Sequence, residues 1–408
     1  MKILVISSLF PPYYVGGYEI RCEQVSLTLA ARGHKVDVLT SVSGIESPRT
    51  DPGEVTVHRR LALYSPFIDP VSRETLPFEL DRARRWSVTK QNYAIAREMI
   101  LALRPDLVFA WSQARISLGA VRAAQESRLP VAWTFGDPNI RQYKPVPRAK
   151  FIRRPFGYVF DRSIWRKATW TGVDFSQAHC VSQDIKRRLL EEGLPVEAAK
   201  VIYRGIPVEK FPPRDDMGGL HSTARVLFVG QIHSYKGVHT LIEAAHGLTA
   251  KHGKDYLGVS IVGEGDGEYK REMARLAEAG ATDVKFLGKV AHAELPAVYR
   301  DHDIFVFPSA GGGYEGFGAT SLEAMASGLP VVGTIEGGQA ELFVHEKNAL
   351  VFEAERPDDL AANLERLIGD RALRERLAHT ARKQIENDFT MEVYAERMER
   401  YLLDAVRM

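Results

Sequence analysis

Short runs of Val, Ile, Leu and Phe recur along this 408-residue chain, with helically spaced stretches between them. "KILVISS" (2–8) is the first run, and "HKVDVLTS" (34–41), "PDLVFAW" (105–111) and "PVAWTF" (130–135) follow. Apolar runs of this length without polar alternation predict strands buried on both faces, as in a parallel sheet. The stretches between them have helical spacing: "EQVSLTLAARG", closed by Gly33, and "LGAVRAAQESRL". "FSQAHCVS", "QDIKRRLLEEG" and "KVIYRGI" continue the alternation to residue 206. This is the βαβ rhythm of a doubly wound sheet.

Residues 207–224, "PVEKFPPRDDMGGLHSTA", break the pattern with proline, glycine and charge, and read as a linker. The rhythm then restarts with "RVLFVGQ", "GVHTLIEAAHGL", "LGVSIVGEG", "YKREMARLAEAG", "DVKFLGKV", "DIFVFPS", "LEAMASG" and "PVVGT". The expectation is two Rossmann-like α/β domains, 1–206 and 225–389, facing a cleft. The amphipathic "MEVYAERMERYLLDAV" near 390–408 would pack back on the first. Ligands of such sheets sit beyond the carboxyl ends of the strands.

Composition narrows the class. At 45% hydrophobic, the chain is long enough for two cores. A net charge of +2 gives no overall preference for polyanions. Cys22 and Cys180 are the only cysteines, so neither a disulfide framework nor a multi-cysteine metal site is expected. No His/Asp/Glu grouping has convincing metal spacing. No span is apolar enough to cross a bilayer, and "MKILVISSLFPP" is broken too early for a signal peptide. These features predict a cytoplasmic protein.

The chemistry concentrates in "GGGYEGFGATSLEAMASGLPVV" (311–332), where Glu315 and Glu323 stand eight residues apart. Gly316 and Gly318 allow close backbone approach. A helix starting near Thr320 or Ser321 would aim free N–H groups and its positive dipole end outward, which suits an anion. Glu323, in that first turn, would accept hydrogen bonds from a vicinal diol such as a ribose, and Glu315 would grip a second polyol. A nucleotide-sugar offers two diols with a diphosphate between them. Thr320 and Glu323 also fit a capping box, which needs no ligand. Lys236, in "VGQIHSYKG", is placed to reach a phosphate, although a lysine in a loop is equally at home in water. His233 and His239 read as exposed.

In this order, "FVGQIHSYKGVHTLIEA", "IVGEGDGE", "VKFLGKV", "DIFVFPS" and "YEGFGATSLEAMASGLPVVGT" resemble the donor domain of retaining GT-B glycosyltransferases of family 4. "SSLFPPYYVGGYEIRCEQVSLTLAARGHKVDVLTS" resembles that family's first domain. The resemblance implies a sugar transferase using a UDP- or GDP-linked donor and a sugar or lipid-linked acceptor, without metal or other cofactor. It implies that Glu315 contacts the donor sugar and Glu323 the ribose. The amides of Gly316, Phe317, Gly318, Ala319 and Thr320 would cradle the diphosphate, and Lys236 would neutralise it. Gly16 and Gly17 would let the first domain's backbone approach the same diphosphate, and Val290 would lie against the base.

Some positions depart from the family. Gln231 stands where an arginine is usual and removes one fixed charge. Arg204, in "IYRG", is a candidate replacement. In "TFGDP" Gly136 takes a histidine's place, which leaves Asp137 as the candidate acceptor-side group or, equally, as the cap of a turn. Phe109 and Trp111 replace imidazoles in "PDLVFAWS", so a more aromatic acceptor pocket is expected. Residues 141–170 carry nine Lys/Arg against one acid, interleaved with Tyr143, Phe151, Phe156, Trp165 and other rings. That mixture suits an anionic membrane surface; equally, the rings would pack inward while the cations face water. Nothing else points to nucleic acid. A catalytically weak nucleotide-sugar-binding partner subunit and a nucleotide-sugar epimerase remain alternatives. A dinucleotide oxidoreductase would want G-x-G-x-x-G after the first strand, and "SSLFPPYYVGGYE" does not supply it.

Overall fold

The computed structural model describes residues 1–14, 17–41, 45–46, 54–64, 78–145, 168–265, 267–311 and 315–407. The chain divides into two compact units, one of Met1–Val181, Ile185–Ile202 and Ala395–Met408, the other of Ser182–Asp184 and Tyr203–Tyr394.

The first unit holds strands β1 (Lys2–Ile6), β2 (Tyr13–Tyr14), β3 (Lys35–Ser41), β4 (Ile45–Glu46), β5 (Thr56–Leu61), β6 (Leu107–Ala110), β7 (Val131–Phe135), β8 (Ala178–Cys180) and β9 (Lys200–Val201). Helix α1 (Gly17–Ala31) follows β2, α2 (Phe78–Leu103) precedes β6, α3 (Gly119–Glu126) joins β6 to β7, and α4 (Gln183–Glu191) joins β8 to β9. Seven strands form one parallel sheet in the order β5-β3-β1-β6-β7-β8-β9, and β2 and β4 make a small antiparallel pair. Ile3 pairs with Val36 on one side and Leu107 on the other, so the apolar run of β1 is central. Its residues from Ile3 to Ile6 are at most 1% exposed, as a run buried on both faces should be.

In the second unit, β10 (Ala224–Val229), β11 (Leu257–Val262), β12 (Asp283–Gly288), β13 (Ile304–Phe307), β14 (Val331–Gly333) and β15 (Leu350–Val351) form a six-stranded sheet ordered β12-β11-β10-β13-β14-β15. Every pair in it is parallel. Helices α5 (Val238–His252), α6 (Gly267–Glu278), α7 (Leu295–Arg300), α8 (Ala319–Ala326), α9 (Pro357–Gly369) and α10 (Arg371–Asp388) connect or follow the strands. Leu241, Ile242, Ala245 and Leu248 of α5 pack with Val226, Phe228 and Leu364 in one buried cluster. Each large side chain so buried contributes roughly 1.5–3 kcal/mol. Asp370 starts α10 by accepting a 3.0 Å hydrogen bond from the Leu373 N–H, a cap worth about 1 kcal/mol.

The stretch 207–224 belongs to the second unit. There Arg214 donates to Asp303 at 2.8 Å, and Nδ1 of His221 lies 2.9 Å from the same carboxylate. Burial raises the Asp303 carboxyl, but the bonds from the Arg225 and His221 N–H groups and the Arg214 guanidinium outweigh it, so the group sits below its ordinary value. The last helix, α11 (Met391–Arg407), starts in the second unit and ends in the first.

Candidate functional site

In an α/β sheet the carboxyl ends of the central strands position functional groups. In the second unit these are β10 and β13, neighbours in the sheet. After β10 the chain makes a 3₁₀ turn, Ser234–Lys236, and enters α5 through Gly237. Gly237 has φ +67°, and a Cβ there would fall 1.8 Å from the Pro308 carbonyl oxygen. Glycine is therefore required if the turn is to lie against the segment leaving β13. Two hydrogen bonds fasten these segments: Ala310 N–H and Ser309 Oγ both donate to the Tyr235 carbonyl, at 2.9 and 3.0 Å.

That fastening puts Lys236 against Glu315. The ammonium donates to Glu315 Oε1 in a close ion pair, with side chains only 18% and 10% exposed. Lys236 Nζ also lies 5.4 Å from the Tyr235 ring centre and 5.9 Å from that of Phe307. The Glu315 backbone is gripped from a third side, because its carbonyl accepts from Gly338 N–H at 3.1 Å. Gly337, at φ +61°, has no room for a side chain there: a Cβ would meet the Glu315 carbonyl oxygen at 2.2 Å.

Helix α8 begins at Ala319 with Gly318 as its N-cap and no side-chain cap. It starts slightly before the expected Thr320, which makes Glu323 its fifth residue. The capping box is not made. Glu323 turns to neighbouring elements instead: Oε2 accepts from Tyr299 on α7 at 3.0 Å, and Oε1 lies 3.1 Å from His292 Nε2. Burial, then the Glu323 charge, push the Tyr299 phenol well above its ordinary value, so it stays a donor. The Glu323 side chain is 5% exposed and the His292 side chain 43%, so the carboxylate is approached from the histidine side.

Between the two acids, Phe317 is 1% exposed and stacks on Tyr203 with centroids 5.1 Å apart. Its ring goes to the interior while the turn of Gly316, Phe317 and Gly318 leads into the first amides of α8, which have no intrahelical acceptor. Arg204 Nη1 donates to the Phe317 carbonyl at 3.4 Å, so a fixed positive charge stands at this turn. Gln231 is exposed and accepts from the Tyr235 hydroxyl at 2.9 Å. Val290 is half-buried on the segment after β12 that carries His292. One unit thus gathers Lys236, Arg204, Glu315, Glu323 and the start of α8.

The first unit's expected residues are more scattered. Gly16 lies outside the described residues. Gly17 opens α1, and a Cβ there would meet nothing within 4 Å. Asp137 Oδ1 accepts from Asn139 N–H at 2.8 Å, so it caps a turn, and it also lines a small cavity with Trp111. Phe109 is core, fully buried and edge-on to Trp111 at 5.4 Å. Of the basic and aromatic segment, 146–167 lie outside the described residues. Tyr143 is buried, its hydroxyl donating to the Gln113 carbonyl at 2.6 Å.

Two family models divide the chain: Glycosyltransferase Family 4 matches residues 15–210, and Glycosyl transferases group 1 matches residues 219–384. A glycosyltransferase from Rickettsia africae superposes with a TM-score of 0.72 at 18% identity, over 100% of this chain and 98% of that one. HepE from Anabaena, solved in complex with UDP, superposes with a TM-score of 0.71 at 20% identity, over 99% and 100% of the two chains. The chain is a GT-B glycosyltransferase. An uncharacterized glycosyltransferase of Methanocaldococcus jannaschii is 27% identical to it over 97% of this chain and 96% of that one. For this glycosyltransferase, His292 and Tyr299 are the partners of Glu323 in the candidate site that the sequence pattern alone does not single out. Tyr299 reads as helix core, and His292 sits in a polar stretch without a motif.

Among the described residues of the glycosyltransferase, no helix is long and apolar enough to cross a membrane.

Proposed function

We propose that this glycosyltransferase moves a sugar, with retention of anomeric configuration, from a nucleotide-diphosphate sugar to a hydroxyl of a glycan or lipid-linked acceptor. The observation that carries the reading is the placement of two buried carboxylates on either side of a glycine turn and helix start, with Lys236 and Arg204 beside them. Two acids bind two diols, and amides with two cations hold the charge between them. HepE, with the same fold, was solved with UDP and with UDP-glucose, which favours a UDP-linked donor over a GDP-linked one.

In this reading Glu315 exchanges its bond with Lys236 for the donor sugar's hydroxyls. Lys236 is then released to the diphosphate. Arg204 supplies the charge that Gln231 lacks. Glu323, approached past His292, holds the ribose. As the bond from the anomeric carbon to the phosphate oxygen breaks and the acceptor oxygen bonds that carbon, charge grows on the leaving diphosphate, where the amides of α8, Arg204 and the released Lys236 would meet it. The departing phosphate oxygen takes the acceptor hydroxyl's proton on the same face, through an oxocarbenium-like state. Fixed positive charge at the diphosphate removes the need for a metal or other cofactor. The residues 141–170 would bring the enzyme to an anionic membrane on the cytoplasmic side, where a lipid-linked acceptor is presented; salt-sensitive co-sedimentation with anionic vesicles tests that.

Thermal-shift measurements with UDP-glucose and GDP-mannose test the donor, since a ligand of the folded state raises the midpoint. A rise with UDP-glucose that is kept in EDTA is expected. No rise with either nucleotide-sugar overturns the reading. Proton NMR of the product's anomeric signal tests retention.

A further inference from the structure

The turn between the two acids is shaped by a second turn, which follows β14. This is a 3₁₀ turn, Gly337–Glu341, and its first three residues each meet the Glu315–Gly318 turn. Gly337 lies against the Glu315 carbonyl, which the Gly338 N–H also bonds. A Cβ on Gly338 would fall 2.1 Å from the Gly316 carbonyl oxygen, so backbone packs on backbone there as well. Gln339 makes the third contact, and it is the one made by a side chain. It is fully buried, and its Nε2 donates to the equally buried Ser321 Oγ at 3.3 Å. The same Nε2 fills the place of a side chain at Gly318, where a Cβ would fall 1.9 Å from it. Gly318, the N-cap of α8, brings no side-chain cap of its own. The polar group beside this helix start therefore comes from a turn 18 residues further along the chain.

Stability alone does not account for an amide at this position. Gln339 Oε1 is buried without a hydrogen-bond partner, and leaving such an atom unpaired costs about 1–3 kcal/mol. An apolar side chain of equal length would avoid that cost. What the amide secures is the first turn of α8. Ser321 is the third residue of the helix, and the Leu322 N–H reaches the Gly318 carbonyl at a long 3.5 Å. The amides ahead of it have no intrahelical acceptor, and helix ends fray. Amides that are to receive an anion bind it best when they are fixed beforehand.

We infer that Gln339 is a positioning residue: by holding Ser321 and packing on Gly318, it fixes the first turn of α8 and hence the amides that receive the donor's diphosphate. The inference rests on the proposed donor reading and adds to it a residue that touches no part of the donor.

Gln339→Met keeps the side chain's length and removes its amide. In the full chain this variant is expected to bind UDP about tenfold more weakly in calorimetric titration. Without ligand, its Leu322 N–H should exchange about tenfold faster by NMR. Its melting midpoint should stay within about 2 °C of the wild type, because the unpaired oxygen leaves with the lost bond. Ser321→Ala removes the other end of the same bond. It should show the same changes, and the double variant should lose no more than either single one. Unchanged UDP affinity in Gln339→Met overturns the inference whatever its midpoint, since Gln339 is then a core residue only. Additive losses in UDP affinity also overturn it, because the two side chains would not act through one bond. If Gln339→Met fails to fold, Ser321→Ala decides, and wild-type affinity and exchange in that variant overturn the inference. If the wild-type protein binds neither UDP nor GDP, the donor reading falls instead, and Leu322 exchange in the unliganded protein judges Gln339 by itself.

Discussion

Lys236 and Glu315 satisfy one another before any ligand arrives, and this sets what their substitution does. Both are mostly buried, so removing one leaves the other desolvated and unpaired. We expect Lys236→Met to destabilise the second unit by about 1–3 kcal/mol, and the double change with Glu315→Gln to cost less than the sum of the two. Urea midpoints of the four proteins give the coupling, and additive losses would mean that the pair is not formed. Glu315→Gln is expected to lower the transfer rate at least a hundredfold, as judged by release of the nucleotide product. Arg204→Gln should weaken donor binding roughly fivefold to tenfold, beyond the cost of an exposed surface charge; calorimetric titration with unchanged affinity would remove Arg204 from the site. Tyr299→Phe removes the donor to a buried carboxylate, and a loss of about 1–3 kcal/mol in stability is expected together with weaker donor binding. The spacing of Glu315 and Glu323 is legible in the sequence because both lie in one loop and helix. Their partners His292 and Tyr299 are not, because a different loop and helix bring them in. The T-x-x-E pattern fits a cap equally well until the tertiary donors to Glu323 are seen.

At the level of elements, the central strands were readable because burial on both faces demands unbroken apolar runs. The outer strands were less so. "FSQAHCVS" contributes only Ala178–Cys180 to the ladder, and "KVIYRGI" only Lys200–Val201. Their remaining residues answer to turns and side-chain contacts that the pattern does not encode. Strand β8 also carries an oddity in His179, which is fully buried with neither ring nitrogen hydrogen-bonded and stands edge-on to Tyr401 at 5.2 Å. Burial lowers its pKa from 6.5 to about 3. The unfolded chain takes up this proton as pH falls below about 6.5, while the folded chain refuses it until about 3. Stability is therefore full above pH 6.5 and declines by up to about 1.4 kcal/mol per unit between those values. His179→Leu should flatten the pH dependence of the urea midpoint across this window without lowering stability at pH 7. An unchanged slope would assign the acid sensitivity to other groups.

At the scale of the whole chain, the decisive feature is that the last helix returns to the unit formed by the first residues. Met398, Tyr401 and Leu402 are each at most 2% exposed. The Tyr401 hydroxyl lies 2.9 and 3.0 Å from the carbonyls of Gln177 and Trp133, which share its one proton, and accepts from the Trp133 N–H at 3.1 Å. Glu399 pairs with Arg32 at 2.7 Å and with His34 at 2.8 Å. One hydroxyl thus ties the final helix to β7 and to the approach to β8, over more than 220 residues of sequence. Burying three such side chains is worth several kcal/mol, comparable to the net stability of a whole domain. Removing 395–408 should accordingly prevent the first unit from folding, which tests the helix too bluntly. Tyr401→Phe is the finer probe, since it keeps the packing and removes only the hydroxyl's bonds, while the Trp133 N–H still donates to the Gln177 carbonyl at 2.8 Å, so a cost of about 0.5–1.5 kcal/mol is expected. Lys236, Arg204, Glu315 and Glu323, the groups proposed to hold the donor, all lie in the other unit. Calorimetry of Tyr401→Phe should therefore lower one thermal transition and spare the one that UDP-glucose raises. If the UDP-glucose-sensitive transition moved instead, the assignment of this helix end to the first unit would be wrong.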